Sequence, residues 1–259
     1  MLRKFLSFCR ALGVNPIKTY SFFKGLPWFI KDYRNLKNQL KNNSDFQIKK
    51  LDPILTNKHE SSGIASGHYF HQDLLIAQKI YNAKPEKHVD VASRIDGFVA
   101  HIASFMPIEV FDIRKLESKI DNIKFVEVDF MFLKPELVNY TSSISCLHSI
   151  EHFGLGRYGD KIDVDGHLKG IDTIYKILKP GGVFYFSTPI GAQRIEFNSQ
   201  RVFSVEYLLS ILKDKFEIKS FSYVNDKGDL QKDVELTKSQ TQNNYHCNYG
   251  CGILELIKK

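Results

Sequence analysis

The sequence has 259 residues, 43% of them hydrophobic, and a formal net charge of +7 at pH 7. This composition can fill a globular core, and no apolar run reaches the roughly 18–20 residues that cross a bilayer as a helix, so a membrane span is excluded. The first residues lack the pattern of a signal peptide. We therefore expect a cytoplasmic protein with four reduced cysteines rather than a disulfide scaffold.

Positive charge is concentrated at the start of the chain. Residues 1–50 hold eleven lysines and arginines against two acids, so the rest of the sequence is slightly negative. Aromatic residues lie between these charges: Phe5, Phe8, Tyr20, Phe22, Phe23, Trp28, Phe29 and Tyr33. We expect a partly helical extension and linker over residues 1–60, packed through its apolar side on a domain of residues 61–259. Peripheral contact with an anionic surface such as the inner membrane is the next interpretation. Nucleic acid is not expected, because the rest of the chain adds no basic surface.

Short apolar runs alternate with helical stretches over residues 61–259, as in a parallel sheet covered on both faces. A helix is predicted from about 71 to 82, and another over 205–213 with Ser204 as its N-cap. The predicted strands are 88–91, 108–112, 123–128, 142–147, 183–187, 216–224 and 252–257. The predicted fold class is therefore α/β, a Rossmann-like doubly wound sheet of seven strands, of which five are parallel and the last two form an antiparallel pair.

An acid stands at the end of each of the first three predicted strands. Asp90 ends the first strand, Asp112 ends the second, and Asp129 follows the third together with Phe130. Ligands of open α/β sheets bind at the carboxyl ends of the strands. A carboxylate after the second strand can accept both hydroxyls of a ribose, and an acid beside an aromatic ring suits an adenine. Three such acids in succession predict a site for a nucleoside.

Two longer stretches carry the most information. Residues 146–156 read Cys-Leu-His-Ser-Ile-Glu-His-Phe-Gly-Leu-Gly, an apolar strand that ends in a polar cluster, and residues 178–182 read Leu-Lys-Pro-Gly-Gly before another buried strand. Over about residues 63–259 this order resembles the class I S-adenosylmethionine-dependent methyltransferases. Phrases such as Ser-Arg-Ile-Asp-Gly-Phe and Gly-Arg-Tyr-Gly-Asp also look like a bacterial domain family of unknown function linked to surface-polysaccharide loci.

The resemblance implies S-adenosylmethionine as the cofactor. Asp90 and its loop would hold the methionine end, Asp112 the ribose, and Asp129 with Phe130 the adenine. The loop after the fourth strand would meet both the methyl group and its acceptor.

The loop after Asp90 departs from the usual Gly-x-Gly-x-Gly pattern of that superfamily. Its cofactor candidates are Ala92, Ser93 and Gly97, but Arg94 and Asp96 occupy two of the glycine positions, and Gly97 is displaced by one. Either this loop takes another path, with an Arg94–Asp96 ion pair, or the fold has lost the cofactor. The second alternative makes the protein a non-catalytic binding or assembly module.

The polar cluster after the fourth strand supplies the candidate catalytic residues, His148, Glu151 and His152. Either imidazole can act as a general base on an acceptor hydroxyl, with Glu151 orienting it. A divalent metal shared by these three side chains is an alternative, and so is a hydrogen-bonded loop without chemistry. The spelling His-x-x-Glu-His also matches a zinc hydrolase signature, but that signature requires a regular helix, and glycines follow at once.

Polar residues beyond this cluster predict the substrate side of the site. Arg157, Tyr158 and Asp160 lie in a long loop, and Arg201 follows the fifth strand. Such a rim suits a hydroxylated or phosphorylated acceptor. The function predicted is O-methylation of a sugar, sugar nucleotide or phosphorylated glycan precursor, in the synthesis of a surface polysaccharide such as capsule or O-antigen.

Overall fold

The computed structural model describes Cys9, Gly13 and residues 15–42, 45–56, 58 and 62–259. Phe5 and Phe8 of the predicted extension lie outside these residues. The chain divides into two compact units, Met1–Ile64 and Ala65–Lys259. Within the described ranges, every helix is too short or too polar to span a bilayer.

The described residues of the first unit include a long helix, α1 (Pro16–Gln39), which a 3₁₀ turn at Leu40–Asn42 continues. The ammonium of Lys58 lies 4.5 Å from the centroid of the Trp28 ring and 2.6 Å from the Asp32 carboxylate. These contacts link the segment after α1 back to the helix.

The second unit is a mixed α/β structure with one large sheet. Its helices are α2 (His68–Ala83), α3 (Ala100–Ala103), α4 (Gly166–Ile177), α5 (Val205–Leu212) and α6 (Lys238–Gln242). The strands of the large sheet are β1 (His88–Val91), β2 (Ile108–Asp112), β3 (Ile123–Glu127), β4 (Thr141–Leu147), β5 (Leu178–Ile190), β8 (Phe216–Val224), β9 (Leu230–Gln231) and β10 (Gly250–Lys258). A small separate hairpin pairs β6 (Arg194–Glu196) with β7 (Gln200–Val202).

The strand order of the large sheet is β3-β2-β1-β4-β5-β10-β8-β9. Strands β1 to β5 are parallel, and β10 and β8 are antiparallel to their neighbours, as predicted. The predicted number of seven strands is wrong, because β9 adds an eighth at the edge. The turn at residues 225–228 closes a hairpin between β8 and β9. A strand of two residues, Leu230 and Gln231, is too short to show an alternating hydrophobic pattern, so the sequence gives no sign of it.

Both faces of the sheet are buried, which explains its continuous apolar strands. On one face, Ile76 and Ile80 of α2 pack in a cluster with Tyr185 of β5. On the other face, α4 and α5 cover Phe184 and Phe186 of the same strand. Side chains therefore alternate along β5 between two cores, and the carboxyl ends of the parallel strands are the edge left for a ligand.

Candidate functional site

A cavity of about 590 Å³ opens at the carboxyl ends of β1, β2, β3 and β4. Its walls come from α2, from the loops that follow these four strands, and from Ser199, Gln200 and Tyr249. The volume is within the range of sites that hold cofactors and drug-sized molecules. Three of the predicted site residues do not line it, namely Asp90, Gly97 and Arg201, and the other eleven do: Ala92, Ser93, Asp112, Asp129, Phe130, His148, Glu151, His152, Arg157, Tyr158 and Asp160.

Asp90 is fully buried beneath the loop after β1. Its carboxylate accepts hydrogen bonds from the Ser93 backbone N–H at 2.9 Å, from the Ser93 hydroxyl at 2.8 Å and from the Ser145 hydroxyl at 2.6 Å. Burial raises the pKa of Asp90 to about 6, although these donors oppose the shift. Asp90 therefore shapes the loop that carries Ala92 and Ser93 instead of reaching into the cavity.

The loop after β1 takes its own path, as one of the two alternatives foresaw. Arg94 pairs with Asp96 through bonds of 3.0 and 2.7 Å, and residues 95–99 form a π-helical turn interrupted at Gly97. A Cβ on Gly97 would lie 2.9 Å from a carboxylate oxygen of Asp73, so the glycine gives room to an acid from α2. Asp73 and Arg94 both line the cavity. The loop thus presents a cation and an acid where the usual pattern presents bare backbone.

Asp112 lines the cavity with its carboxylate already engaged. The Arg114 side chain donates to it at 2.5 to 3.2 Å, and the Arg114 backbone N–H donates at 2.8 Å. The same guanidinium lies 4.4 Å from the centroid of the Tyr158 ring, in the loop after β4. Arg114 therefore connects the loops after β2 and β4 across the cavity.

Asp129 and Phe130 form the wall beyond β3. One carboxylate oxygen of Asp129 accepts the Met131 backbone N–H at 2.8 Å, which holds the side chain in a tight turn. The Phe130 ring packs 6.0 Å from that of Phe111 and is almost fully buried. The acid and the ring line the same part of the wall, as the prediction of an adenine pocket requires.

His148 leaves β4 with a positive φ of 49° and turns its ring towards Glu151. Its Nδ1 lies 2.8 Å from Glu151 Oε1, while its Nε2 is buried with no hydrogen-bond partner among the described residues. Burial lowers the pKa of His148, but Cys251 and Glu151 outweigh it and raise the pKa well above its usual range. The raised pKa makes His148 a weaker candidate for the general base at neutral pH than an imidazole that is neutral there.

His152 has the opposite character. Its Nδ1 lies 2.7 Å from the Ser199 carbonyl, which can only accept, so Nδ1 carries the proton and the lone pair of the neutral ring is on Nε2. Burial lowers its pKa, against the raising effect of Glu151, whose Oε1 lies 4.0 Å from Nε2. Other charged or titratable groups that act on it are Arg157 and His148. A neutral imidazole lining the cavity with a free lone pair is equipped to take a proton.

The motif His-x-x-Glu-His does not form the helix that a zinc hydrolase needs. Ile150–His152 is a single 3₁₀ turn, and His148 lies before it with a left-handed backbone. Within the part of the chain that the structure describes, the one cluster with metal-ligand character joins His148 to His68 and Cys251 rather than to His152.

The predicted substrate residues divide into two kinds. Arg157 and Tyr158 are partly exposed at the rim, where the Tyr158 ring meets His152 edge-on at 5.5 Å. Asp160 caps the loop by accepting the backbone N–H groups of residues 154, 156 and 158. Arg201 is buried away from the cavity, where its guanidinium donates to four backbone carbonyls, including that of Phe153 at 2.6 Å. It holds the loop in place.

Several cavity residues were missed from the sequence. Gln72 and Asp73 are buried polar residues in α2, Arg114 lies two residues after Asp112, and Tyr249 directly precedes β10. The available signal was that Gln72 and Asp73 lie on the same helical face as Ile76 and Ile80. Polar side chains are seldom buried on an apolar helical face unless they are hydrogen-bonded or bind a ligand.

Comparison with known proteins defines the family. The family model described as Caenorhabditis protein of unknown function, DUF268, matches residues 108–254, which is more than half of the chain. The protein belongs to this family. No curated protein matches the chain.

Solved structures identify the fold. The [4+2]-cyclase SpnF has a TM-score of 0.52 at 15% identity, over 76% of this chain and 88% of its own. The N-methyltransferase NodS from Bradyrhizobium japonicum WM9 has a TM-score of 0.51 at 11% identity, over 75% of this chain and 99% of its own. The chain therefore has a Rossmann-like methyltransferase fold. Because one of these neighbours is a cyclase by name, the fold leaves the reaction to be argued from the site.

Proposed function

We propose that this protein is an S-adenosylmethionine-dependent methyltransferase that acts on a hydroxyl group of a sugar, sugar nucleotide or phosphorylated glycan precursor. The observation that carries the proposal is the single cavity whose wall holds Asp112 and Asp129 at one side and His152 at another. Carboxylates after the second and third strands suit a nucleoside, and a neutral imidazole suits a proton acceptor near the reacting atoms.

The methionine end of the cofactor fits between Asp73 and Arg94. Asp73 is almost fully buried, and burial raises its pKa, so an adjacent ammonium group would favour its ionised form. Arg94 is two-thirds exposed, so its guanidinium can bind the carboxylate of the ligand and keep its ion pair with Asp96. This pair takes over the role that the resemblance assigned to Asp90.

The nucleoside end fits along β2 and β3. Asp112 would accept the ribose hydroxyls, with Arg114 giving up part of its hold on the carboxylate. Asp129 keeps one oxygen for the Met131 N–H and offers the other to the adenine amino group. Phe130 closes the wall against water.

The proton-transfer step is assigned to His152. When bound, the cofactor would supply an electrophilic methyl group. Nε2 of His152 takes the proton of the acceptor hydroxyl as the new carbon–oxygen bond forms, so the products are a methyl ether, S-adenosylhomocysteine and a protonated imidazole. Ser199 fixes the tautomer, and Glu151 stabilises the charge that develops on the ring.

The acceptor class follows from the rim. Arg157 and Tyr158 are the exposed side chains next to His152, and Arg157, whose guanidinium lies 5.1 Å from the centroid of the Tyr158 ring, offers a cation for a phosphate. We place the reaction in the cytoplasm, on precursors of a surface polysaccharide.

Calorimetry with S-adenosylmethionine and S-adenosylhomocysteine tests the proposal. We expect both ligands to bind with a micromolar Kd, and Asp129→Asn to raise both Kd values about tenfold or more. Asp172→Asn is the matched control, because Asp172 is an exposed acid of α4 that pairs with Lys215 outside the cavity. Release of S-adenosylhomocysteine in the presence of a panel of sugar nucleotides then tests turnover.

A non-catalytic binding module is the second candidate. The observation that favours it is the Asp112 carboxylate, which is already occupied by Arg114. A folded protein that binds neither ligand at millimolar concentration would establish this alternative and exclude the methyltransferase.

A further inference from the structure

We infer that His68, His148 and Cys251 form a binding site for a zinc ion, and this inference stands without the proposed methyl transfer. One nitrogen of each imidazole and the Cys251 sulfur lie within 4.8 Å of one another. The three residues come from α2, from the loop after β4 and from β10. Three separate elements therefore bring metal-binding groups to one point behind the cavity wall.

The strongest sign of a ligand is the unpartnered nitrogen of His148. Its Nδ1 is occupied by Glu151, so Nε2 is the atom left for a ligand, and it is buried with no hydrogen-bond partner among the described residues. The His148 side chain is only 4% exposed, so water does not replace that partner. An orphaned buried nitrogen costs free energy unless a proton acceptor or a metal satisfies it.

The group behind His148 is one that supports metal ligands. A metal-bound imidazole usually donates its second nitrogen to a carboxylate or a backbone carbonyl, which fixes the ring. His148 has the Glu151 carboxylate in that position at 2.8 Å. Glu151, which the sequence offered as a direct ligand, thus takes the supporting position.

The donor set selects the metal. Two imidazoles and a thiolate suit zinc, whereas calcium and magnesium require oxygen ligands. A tetrahedral zinc would bring nitrogen and sulfur donors to about 3.3–3.8 Å from one another, so the three side chains need to close by about 1 Å. The Cys251 thiolate and the Glu151 carboxylate would balance the two charges of the ion. Gln72 is next to the site, with its Oε1 at 3.8 Å from the Cys251 sulfur, but this oxygen accepts the Ser187 hydroxyl at 2.6 Å and would have to give up that bond to become the fourth ligand.

Occupancy would tie the start of α2 to the carboxyl edge of the sheet. Tyr69, Gln72 and His148 all belong to the cavity wall, so the ion would brace that wall from behind. Cys251 is fully buried, and the site is therefore closed to a substrate. We assign it a structural role.

The test uses the full chain, freed of metal with a chelator and titrated with zinc. We expect one zinc per chain by elemental analysis and a rise in Tm of about 5 °C or more at saturation. Cobalt in place of zinc should give the ultraviolet absorption of a thiolate–cobalt bond. Folded protein that binds less than one tenth of an equivalent of zinc, or cobalt-bound protein without the thiolate absorption, overturns the inference.

Two variants and two controls locate the site. We expect Cys251→Ser and His68→Asn each to weaken zinc binding at least about 100-fold. Cys247→Ser, four residues from Cys251 and outside the cluster, should bind as the parent does. Loss of binding in His152→Gln with retention in Cys251→Ser would place the ion in the cavity and refute the assignment. If Cys251→Ser does not fold, His68→Asn and the cobalt spectrum decide, because His68 is only partly buried.

Discussion

Replacing Asp112 by Asn is the sharpest test of the proposed nucleoside site. The side chain is 8% exposed, so the substitution keeps its shape and removes its charge without admitting water. Two hydrogen bonds from ribose hydroxyls to a carboxylate are worth about 1.5–3 kcal/mol each, and an amide oxygen retains one bond of about 1 kcal/mol. The gross loss is thus about 2–5 kcal/mol.

Competition from Arg114 reduces that figure. Its side chain is 47% exposed, so its ion pair with Asp112 contributes at most about 1 kcal/mol, which the parent protein gives up in part when the ribose binds. The net loss is about 1–4 kcal/mol, so we expect the Kd for S-adenosylmethionine to rise about 5-fold to 1,000-fold.

Calorimetry with three ligands separates this effect from a general disturbance of the site. S-adenosylmethionine, S-adenosylhomocysteine and adenosine share the ribose, so their Kd values should rise by the same factor, while any binding of free methionine should not change. Asp172→Asn is again the control, because that acid is 50% exposed and pairs with Lys215 outside the cavity. A change of less than twofold for adenosine, in a variant of unchanged Tm, would refute the assignment of Asp112.

Three other substitutions probe the rest of the site. His152→Gln should lower kcat about 10²-fold to 10⁴-fold with little change in Kd for the cofactor. In the parent protein, kcat should fall on acidification only below about pH 6.5, because the pKa of His152 is lowered and its neutral form is the active one. Asp90→Asn should remove a pH dependence of the free energy of unfolding. The fold favours protonated Asp90, with a pKa of about 6 against 3.8, so the stabilisation by Asp90 is complete below pH 4 and is lost as the pH rises to about 6. In urea unfolding, the difference between parent and variant should change by about 3 kcal/mol across this range. Gly97→Ala should raise the Kd for S-adenosylmethionine several-fold and leave adenosine unchanged, because the new methyl group would displace the Asp73 carboxylate.

Each of these has a result that contradicts it. Unchanged kcat in His152→Gln would remove the base from the mechanism. A constant stability difference between pH 4 and pH 7 would show that folding does not raise the pKa of Asp90. Equal losses for S-adenosylmethionine and adenosine in Gly97→Ala would mean that the loop has collapsed as a whole.

The sheet was predictable because each of its parallel strands carries its own signal. β1 and β2 match the predicted bounds, since a short apolar run with an acid at or next to its last residue marks both the strand and its carboxyl end. β5 is longer than predicted and includes Pro180 and the two glycines after it, where the pairing with β4 is irregular. The sequence pattern of a turn is correct there, but the backbone on both sides of it stays extended.

The site was predictable where a residue ends a parallel strand or lies in the loop that follows it. Asp112 ends β2, Asp129 and His152 lie in the loops after β3 and β4, and all three line the cavity. The direction of a side chain is not a property of the sequence alone: Asp90 turns inward because Ser145 of the neighbouring strand lies 2.6 Å away. The residues that α2 adds to the site could not be predicted either, because Asp73 precedes Gly97 by 24 residues and contacts it only in the folded chain.

The altered glycine loop bears most directly on whether this fold still has a cofactor. A loop that has merely lost its function accumulates unrelated changes, whereas the changes here depend on one another. Arg94 is paired with Asp96, Gly97 is the residue that the Asp73 carboxylate requires, and Ala92 takes the positive φ of 58° that the first glycine of the pattern would otherwise supply. Each substitution is matched by a contact that uses it, and the result is a cavity lined by a cation and an acid rather than a blocked one. Mutual dependence of this kind indicates a loop rebuilt around a charged ligand, which the zwitterionic methionine end of the proposed cofactor would be.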